Sequence, residues 1–228
     1  MGWIIGGVVA FVLIILIIVL VATRSGESGG QDQYGQKPHF FTPINERRGI
    51  QGERTINYYL RELIKEDEYL LTNILLPLRN GHKTEIDSIL ISRKGIFCIE
   101  VKNWVGHISG DDQSEYWHQS YDDPYMSDRD HRNPVKQNEN HCAVLERKLD
   151  NDYLVKNIVL FPEIEDRTNL YSSSTYEIGE FVRHYQSLPD EIYPEDLEEI
   201  FNKLSCYQAT EEELEAHKQE VRKSHANN

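Results

Sequence analysis

A charged pair ends a segment that otherwise has the composition of a buried strand. The run I96-F-C-I99 is fully apolar, yet Glu100 and Lys102 follow it, separated by one valine. Side chains alternate along a strand, so Glu100 and Lys102 point from the same face. Burying a charge without a partner is costly. Either the two residues pair with each other, or a ligand requires both of them at this position.

A second carboxylate, Asp87, can join this pair. The segment R93-K-G95 predicts a tight turn between two antiparallel strands, and a two-residue loop places Asp87 directly opposite Glu100. Two facing carboxylates suit Mg²⁺, a hard cation that takes carboxylate oxygens and keeps several waters. Lys102 could then hold the attacking water or offset charge on a scissile phosphate. We therefore expect a metal, and not an ion pair, to account for these charges.

The elements that must position these groups follow one another as helix, three strands, helix and strand. Apolar residues at helical spacing predict a first helix that opens at Gly52-Glu53, with Glu53 on its inward face. Asn133-Pro134 begins a second helix, with Gln137 in its first turn. The predicted strands are 69–78, 84–92, 96–102 and 156–161, with a type I′ hairpin at Asn80-Gly81, short strands in 106–118, and a polar loop from 122 to 132.

These residues resemble a known pattern. The spacing I-D-(x12)-E-V-K, from Asp87 to Lys102, is similar to the signature of the PD-(D/E)XK nuclease superfamily, with Ile86 in place of proline. Together with Gly52-Glu53 and N133-P-V-K-Q137, it resembles the NERD (nuclease-related) domain, often found behind a membrane anchor. The resemblance implies an α/β fold with a restriction-endonuclease-like core, a mixed sheet flanked by helices.

The same resemblance implies the site residues and the cofactor. Asp87 and Glu100 would be ligands of Mg²⁺ or Mn²⁺, Lys102 the catalytic lysine, and Glu53 and Gln137 supporting catalytic residues. Each piece also has an ordinary structural explanation: an ion pair for Glu100 and Lys102, a helix-dipole contact for Glu53, and a cap or surface position for Gln137. Found together on the right elements, they favour a functional site. Four histidines show no ligand-like spacing, and we expect them in loops or on the surface: His107, His118, His131 and His141.

The sequence before the globular part predicts a membrane anchor. Residues 3–22 carry no charge and would span roughly 30 Å as a helix, which is the thickness of a bilayer core. Arg24 follows this run, so the positive-inside rule places the globular part in the cytoplasm. We divide the chain into a single-pass anchor (3–22), a flexible linker (23–45), a nuclease-like domain (46–162) and a helical acidic C-terminal region (163–228).

Charge separates two hypotheses for function. The chain carries a formal charge of −14, concentrated in 176–228, where 13 acidic residues face 5 basic ones. A simple electrostatic binder of nucleic acid would be basic. The intact Asp87, Glu100 and Lys102 set favours a membrane-anchored, Mg²⁺-dependent nuclease acting on DNA. The acidic balance favours a non-catalytic, membrane-tethered module that keeps the nuclease fold and binds a protein partner through its acidic C-terminal helices. We expect the last helix, 210–223, to be a solvated or partner-facing tail.

Overall fold

The computed structural model describes residues 44–226, with side chains described for 47–224. The predicted anchor, 3–22, and all but the end of the predicted linker lie outside these residues. Within 44–226, no helix is both long and apolar enough to cross a bilayer. The elements in chain order are α1 (Ile44–Leu63), β1 (Tyr69–Pro77), β2 (Lys83–Ser92), β3 (Gly95–Val101), β4 (His107–Asp111), β5 (Tyr116–Ser120), β6 (Arg129–Arg132), α2 (Pro134–Lys148), β7 (Val155–Phe161), β8 (Leu170–Tyr171), β9 (Thr175–Glu177), α3 (Ile178–Ser187), α4 (Pro194–Ser205) and α5 (Glu211–Ala226).

A five-stranded mixed sheet with helices on both faces forms the centre of the fold, in agreement with the expected α/β class. Its strand order is β1-β2-β3-β7-β9, antiparallel from β1 to β3 and parallel from β3 to β9. Phe97 and Ile99 pack with Ile56 of α1, whereas Ile96 and Cys98 belong to the core that α2 and α4 cover. The strict alternation along β3 decides which face each later side chain takes.

The register between β2 and β3 is the one that the two-residue turn predicts. Ser92 pairs with Gly95, and Ser88 pairs with Ile99. Continuing this register by one residue brings Asp87 opposite Glu100. The hairpin before β2 is also present, but its predicted type I′ turn was wrong: Gly81 has a φ of 83°, whereas Asn80 is not among the residues with positive φ. The connection is a longer loop, in which Gly81 N donates to Leu78 O.

The boundaries of several elements differ from those predicted. Helix α1 begins at Ile44 and not at Gly52, because its first turns are polar and carry little apolar periodicity. The end of the predicted 122–132 loop is a strand, β6, which pairs with β5 in a second sheet of order β6-β5-β4-β8. Its sequence, RDHR, shows no apolar alternation because this edge strand is largely exposed. Helix α3 begins only at Ile178, since Thr175–Glu177 pairs with β7 as a strand.

The C-terminal segment is attached to the core, which the expectation of a solvated or partner-facing tail at 210–223 did not include. Leu75 N donates to Tyr207 O at 3.0 Å, and Ala209 N donates to Asn73 O at 2.8 Å. Leu214 of α5 is 7% exposed. Residues 207–209 thus form backbone hydrogen bonds with β1 at the edge of the main sheet. No short-range sequence pattern indicates this pairing. Most other side chains of α5 are exposed, in agreement with its polar composition.

A close approach between α1 and the end of β3 yields the first prediction. A Cβ on Gly52 would lie 2.6 Å from Asn103 Cβ and 3.2 Å from Pro162 Cγ. Gly52→Ala should therefore force α1 outward and destabilise the protein by about 1–3 kcal/mol. Gly49→Ala, in the same helix with open space around it, should be neutral or stabilise by up to about 1 kcal/mol. Denaturant unfolding of both variants measures the difference, and equal stabilities would contradict this packing.

Candidate active site

The five residues predicted for the site line one cavity of about 440 Å³. They come from four elements: Glu53 from α1, Asp87 from β2, Glu100 and the adjacent Lys102 from β3 and its end, and Gln137 from α2. Residues separated by up to 84 positions in the chain thus converge on the end of the central strand. The convergence follows from the β2–β3 register and from the packing of both helices on β3.

Glu100 is the centre of this arrangement. Its side chain is 5% exposed, and its Oε1 accepts hydrogen bonds from Lys102 Nζ at 2.5 Å and from Gln137 Nε2 at 3.0 Å. The ion pair that we expected a metal to replace is therefore present in the protein. It engages only one carboxylate oxygen. Glu100 Oε2 lies 3.7 Å from Nδ1 of His141, and this buried nitrogen has no hydrogen-bond partner among the residues that the structure describes.

Asp87 approaches Glu100 from the neighbouring strand. Its Oδ2 accepts a hydrogen bond from Val101 N at 2.8 Å, so the backbone of β3 fixes the carboxylate beside Glu100. Burial raises the pKa of Asp87 well above its ordinary value, and the negative charges of Glu100 and Glu53 raise it further, against the opposing effect of Lys102. Ionised Asp87 is therefore disfavoured in this environment, because the described cations only partly offset its negative charge.

Burial and neighbouring charges also shift the pKa values of Glu53 and Lys102. Burial raises the pKa of Glu53, and Lys218 acts against this while Glu85 and Glu100 add to it. Burial alone would lower the pKa of Lys102, but Glu100 and Asp87 outweigh it, so the net shift is upward. Lys102 therefore stays an ammonium at neutral pH. It can donate hydrogen bonds and stabilise negative charge, but it cannot accept a proton.

The donor set at this position fits a divalent cation. Asp87 and Glu100 supply adjacent carboxylates in a partly enclosed cavity, and Nδ1 of His141 lies 3.7 Å from Glu100 Oε2. Burial lowers the pKa of His141, against the effect of Glu100, so the ring is neutral and does not cancel the carboxylate charge. No group of three or more His, Cys, Asp or Glu side chains arranged for metal binding occurs within the described residues. Mg²⁺ characteristically uses one or two carboxylates and fills its remaining positions with water.

Two asparagines position helix α2: Asn133, which the sequence predicted at its beginning, and Asn138, which the sequence analysis did not single out. Asn133 caps the helix, with its Oδ1 accepting from Val135 N at 2.9 Å. Asn138 is fully buried, and its Nδ2 donates to Cys98 O at 2.8 Å and to Asn157 Oδ1 at 2.8 Å. These bonds fix α2 against β3 and so set the direction of Gln137. The sequence did contain a signal for this arrangement. His141 follows Gln137 by four positions and Asn138 by three on one helix, and residues at that spacing share a helix face.

The histidine predictions need correction. His141 lies on α2 and is 6% exposed, not in a loop or on the surface. His131 lies on β6, stacks on Trp104 with ring centroids 4.3 Å apart, and lines the cavity. His107 and His118 lie on strands, where each is within ion-pair distance of aspartates. His118 is exposed, which confirms its predicted surface position. A single sequence gives no spacing rule for side chains that meet through sheet pairing.

Two of the further charged residues that line the cavity pair with each other. Glu85 lies on β2, two residues before Asp87, and Lys218 comes from α5. Their side chains form an ion pair, with Lys218 Nζ 3.2 Å from Glu85 Oε1. Sequence reasoning missed both, since it placed α5 away from the site.

Comparison with known proteins agrees with the class that this fold and site define. The model of the NERD (nuclease-related domain) family matches residues 48–162, half of the chain, and the protein belongs to that family. An uncharacterized protein of Bacillus anthracis is 30% identical over 99 residues, which cover 43% of this chain and 45% of that protein. The chain thus spans less than half the length of this relative. No solved structure matches the chain.

The crowded carboxylates predict a stabilising response to metal. Adding Mg²⁺ or Mn²⁺ should raise the melting temperature, by mass action worth about 2.7 kcal/mol at a hundred times the dissociation constant. Asp87→Asn and Glu100→Gln should abolish this response while leaving the protein folded, because each substitution removes a ligand charge and relieves repulsion. Glu163→Gln, an exposed carboxylate elsewhere, serves as the control and should respond like the wild type. Equal stabilisation of all four proteins would exclude metal binding by Asp87 and Glu100.

Proposed function

We propose that this protein is a membrane-anchored nuclease that hydrolyses phosphodiester bonds of DNA with Mg²⁺ or Mn²⁺. The observation that carries the proposal is the convergence of Asp87, Glu100 and Lys102 in one cavity of a nuclease-related domain. The proposal assigns the mixed sheet to the PD-(D/E)XK class. Glu53 and Gln137, which line the same cavity, complete the residue set that the family resemblance implies.

Each residue of the site has a separate role in the proposed reaction. Asp87 and Glu100 hold the cation, which when bound polarises a phosphate oxygen and lowers the pKa of a water molecule. Lys102 keeps its charge and donates hydrogen bonds toward the water or the developing phosphate charge. Gln137 donates to Glu100 Oε1 and so orients the carboxylate. Glu53 adds negative charge at the inner side of the cavity, as the raised pKa of Asp87 reflects.

The charge around the cavity supports an anionic substrate despite the acidity of the whole chain. Four carboxylates line it, and four permanent cations balance them: Glu53, Glu85, Asp87 and Glu100 against Arg48, Lys102, Arg129 and Lys218. A bound divalent ion would make the balance positive. Screening limits the influence of exposed charges to about 8–10 Å at physiological salt. The local balance therefore matters more for substrate binding than the total of −14.

The test of the reaction is substitution of Lys102. The full chain, purified in detergent, should cleave DNA with Mg²⁺ or Mn²⁺ and not with EDTA. Lys102→Arg keeps the charge but changes its geometry and hydrogen bonding. It should lose most cleavage, on the order of a hundredfold or more, while keeping the metal-induced rise in melting temperature. Full activity of Lys102→Arg would show that Lys102 serves only as an ion-pair partner of Glu100.

The same assay separates the two hypotheses for function. A wild-type protein that metal stabilises, but that leaves single-stranded and double-stranded DNA intact, would be a binding module with a nuclease fold. In that case the acidic C-terminal helices become the candidate surface for a protein partner.

The anchor proposal predicts a defined orientation. A reporter fused after Asn228 should be active in the cytoplasm and silent outside it, because Arg24 lies close to the apolar run of 3–22 on its C-terminal side. Arg24→Glu should produce a mixture of orientations. Export of the wild-type fusion would contradict the cytoplasmic placement and, with it, chromosomal DNA as the substrate.

A further inference from the structure

Helix α5 brings a lysine to the cavity from outside the family-matched region. The match ends at residue 162, whereas Lys218 lies 56 residues further along the chain. Lys218 Nζ is 3.2 Å from Glu85 Oε1, and both side chains line the cavity that holds Asp87 and Glu100. The catalytic set is therefore complete without α5, and Lys218 is an addition to it.

The position of Lys218 is fixed by contacts at the beginning of the helix. Thr210 and Glu213 form a reciprocal cap, in which Thr210 N donates to Glu213 Oε2 at 2.8 Å and Glu213 N donates to Thr210 Oγ1 at 3.3 Å. Leu214 is buried one turn before Lys218, and residues four apart share a helix face. The face of α5 that packs on the protein is thus the face that carries Lys218.

Stability alone gives a weak reason for this ion pair. The Glu85 and Lys218 side chains are 22% and 32% exposed, and ion pairs of this kind contribute about 0–1 kcal/mol. Burial lowers the pKa of Lys218, but Glu85, Glu53 and Asp87 outweigh it, so the ammonium keeps its charge. Lys102 differs, because it is bound to the proposed metal ligand Glu100. Lys218 has a partner that is not a proposed metal ligand, and it can exchange that partner for a phosphate.

We propose that Lys218 binds a backbone phosphate of the nucleic-acid substrate beside the scissile bond, and that Glu85 holds the ammonium in place before the substrate arrives. This inference rests on the proposed nuclease function and extends it to a binding residue supplied by α5. A contact to the phosphate backbone carries no base information, so the contribution is to affinity and not to sequence preference.

The experiment measures cleavage by the full chain in detergent, with Mg²⁺ and a labelled DNA duplex, over a series of salt concentrations. Lys218→Gln should raise KM about tenfold at low salt and leave kcat within about twofold, because it removes binding and not chemistry. The slope of log(kcat/KM) against log[salt] should become shallower by about 0.9, the value for one lost phosphate contact. Lys218→Arg should restore both quantities, since it keeps the charge.

The matched control is Lys223→Gln, an exposed lysine on the same helix, which should behave like the wild type. Melting temperatures of all variants are measured in parallel. A purely structural Lys218 would lower the melting temperature of Lys218→Gln without changing the salt slope, and that result would overturn the inference. Equal KM and equal slope for Lys218→Gln and Lys223→Gln would overturn it as well, with the proposed function intact. Absence of cleavage by the wild type would overturn both.

Discussion

Burial of one carboxylate, that of Glu100, is the constraint on which the site depends. Strand β3 lies in the middle of the main sheet, so a charge at its end leaves water at a cost of several kcal/mol unless partners surround it. Lys102 and Gln137 supply hydrogen bonds to one oxygen, and His141 lies beside the other. These partners come from β3 itself and from α2, which ties the geometry of the site to the docking of that helix.

An ion pair and a metal site are not alternatives at this position. The Lys102 contact uses Glu100 Oε1, yet Glu53 and Asp87 add two further carboxylates to the same cavity. The pKa values of Glu53 and Asp87 are raised, first by burial and in addition by the neighbouring negative charges, so the cations that line the cavity do not fully compensate these carboxylates. A protein that needed only a stable strand end could have removed these charges. Their retention is easier to explain by a ligand that requires them.

Rules on strand alternation, turn length and helix termini predicted the elements whose structure depends on neighbouring residues. Alternation and turn length were enough to place Asp87 opposite Glu100, and helix signals placed Gln137 in the first turn of α2. Two failures were local, the type I′ turn at Asn80-Gly81 and the start of α1, and the others concern contacts between distant segments. Strand β6 exists because β5 offers it backbone partners, and residues 207–209 attach to β1 for the same reason. Such packing brings Lys218 to the cavity and His141 to within 3.7 Å of Glu100, so no local pattern could identify them.

The distribution of charge matters more here than its total. The sequence of α5 is acidic, and an acidic helix would ordinarily repel nucleic acid. Its docked face, however, buries Leu214 and presents Lys218 to the cavity, while the glutamates of its first turn are exposed on the outside. The helix therefore contributes a cation to the lining of the cavity. The acidity that argued against nucleic acid at the level of composition is thus compatible with a cavity whose own charges balance and which becomes cationic once a divalent ion is bound.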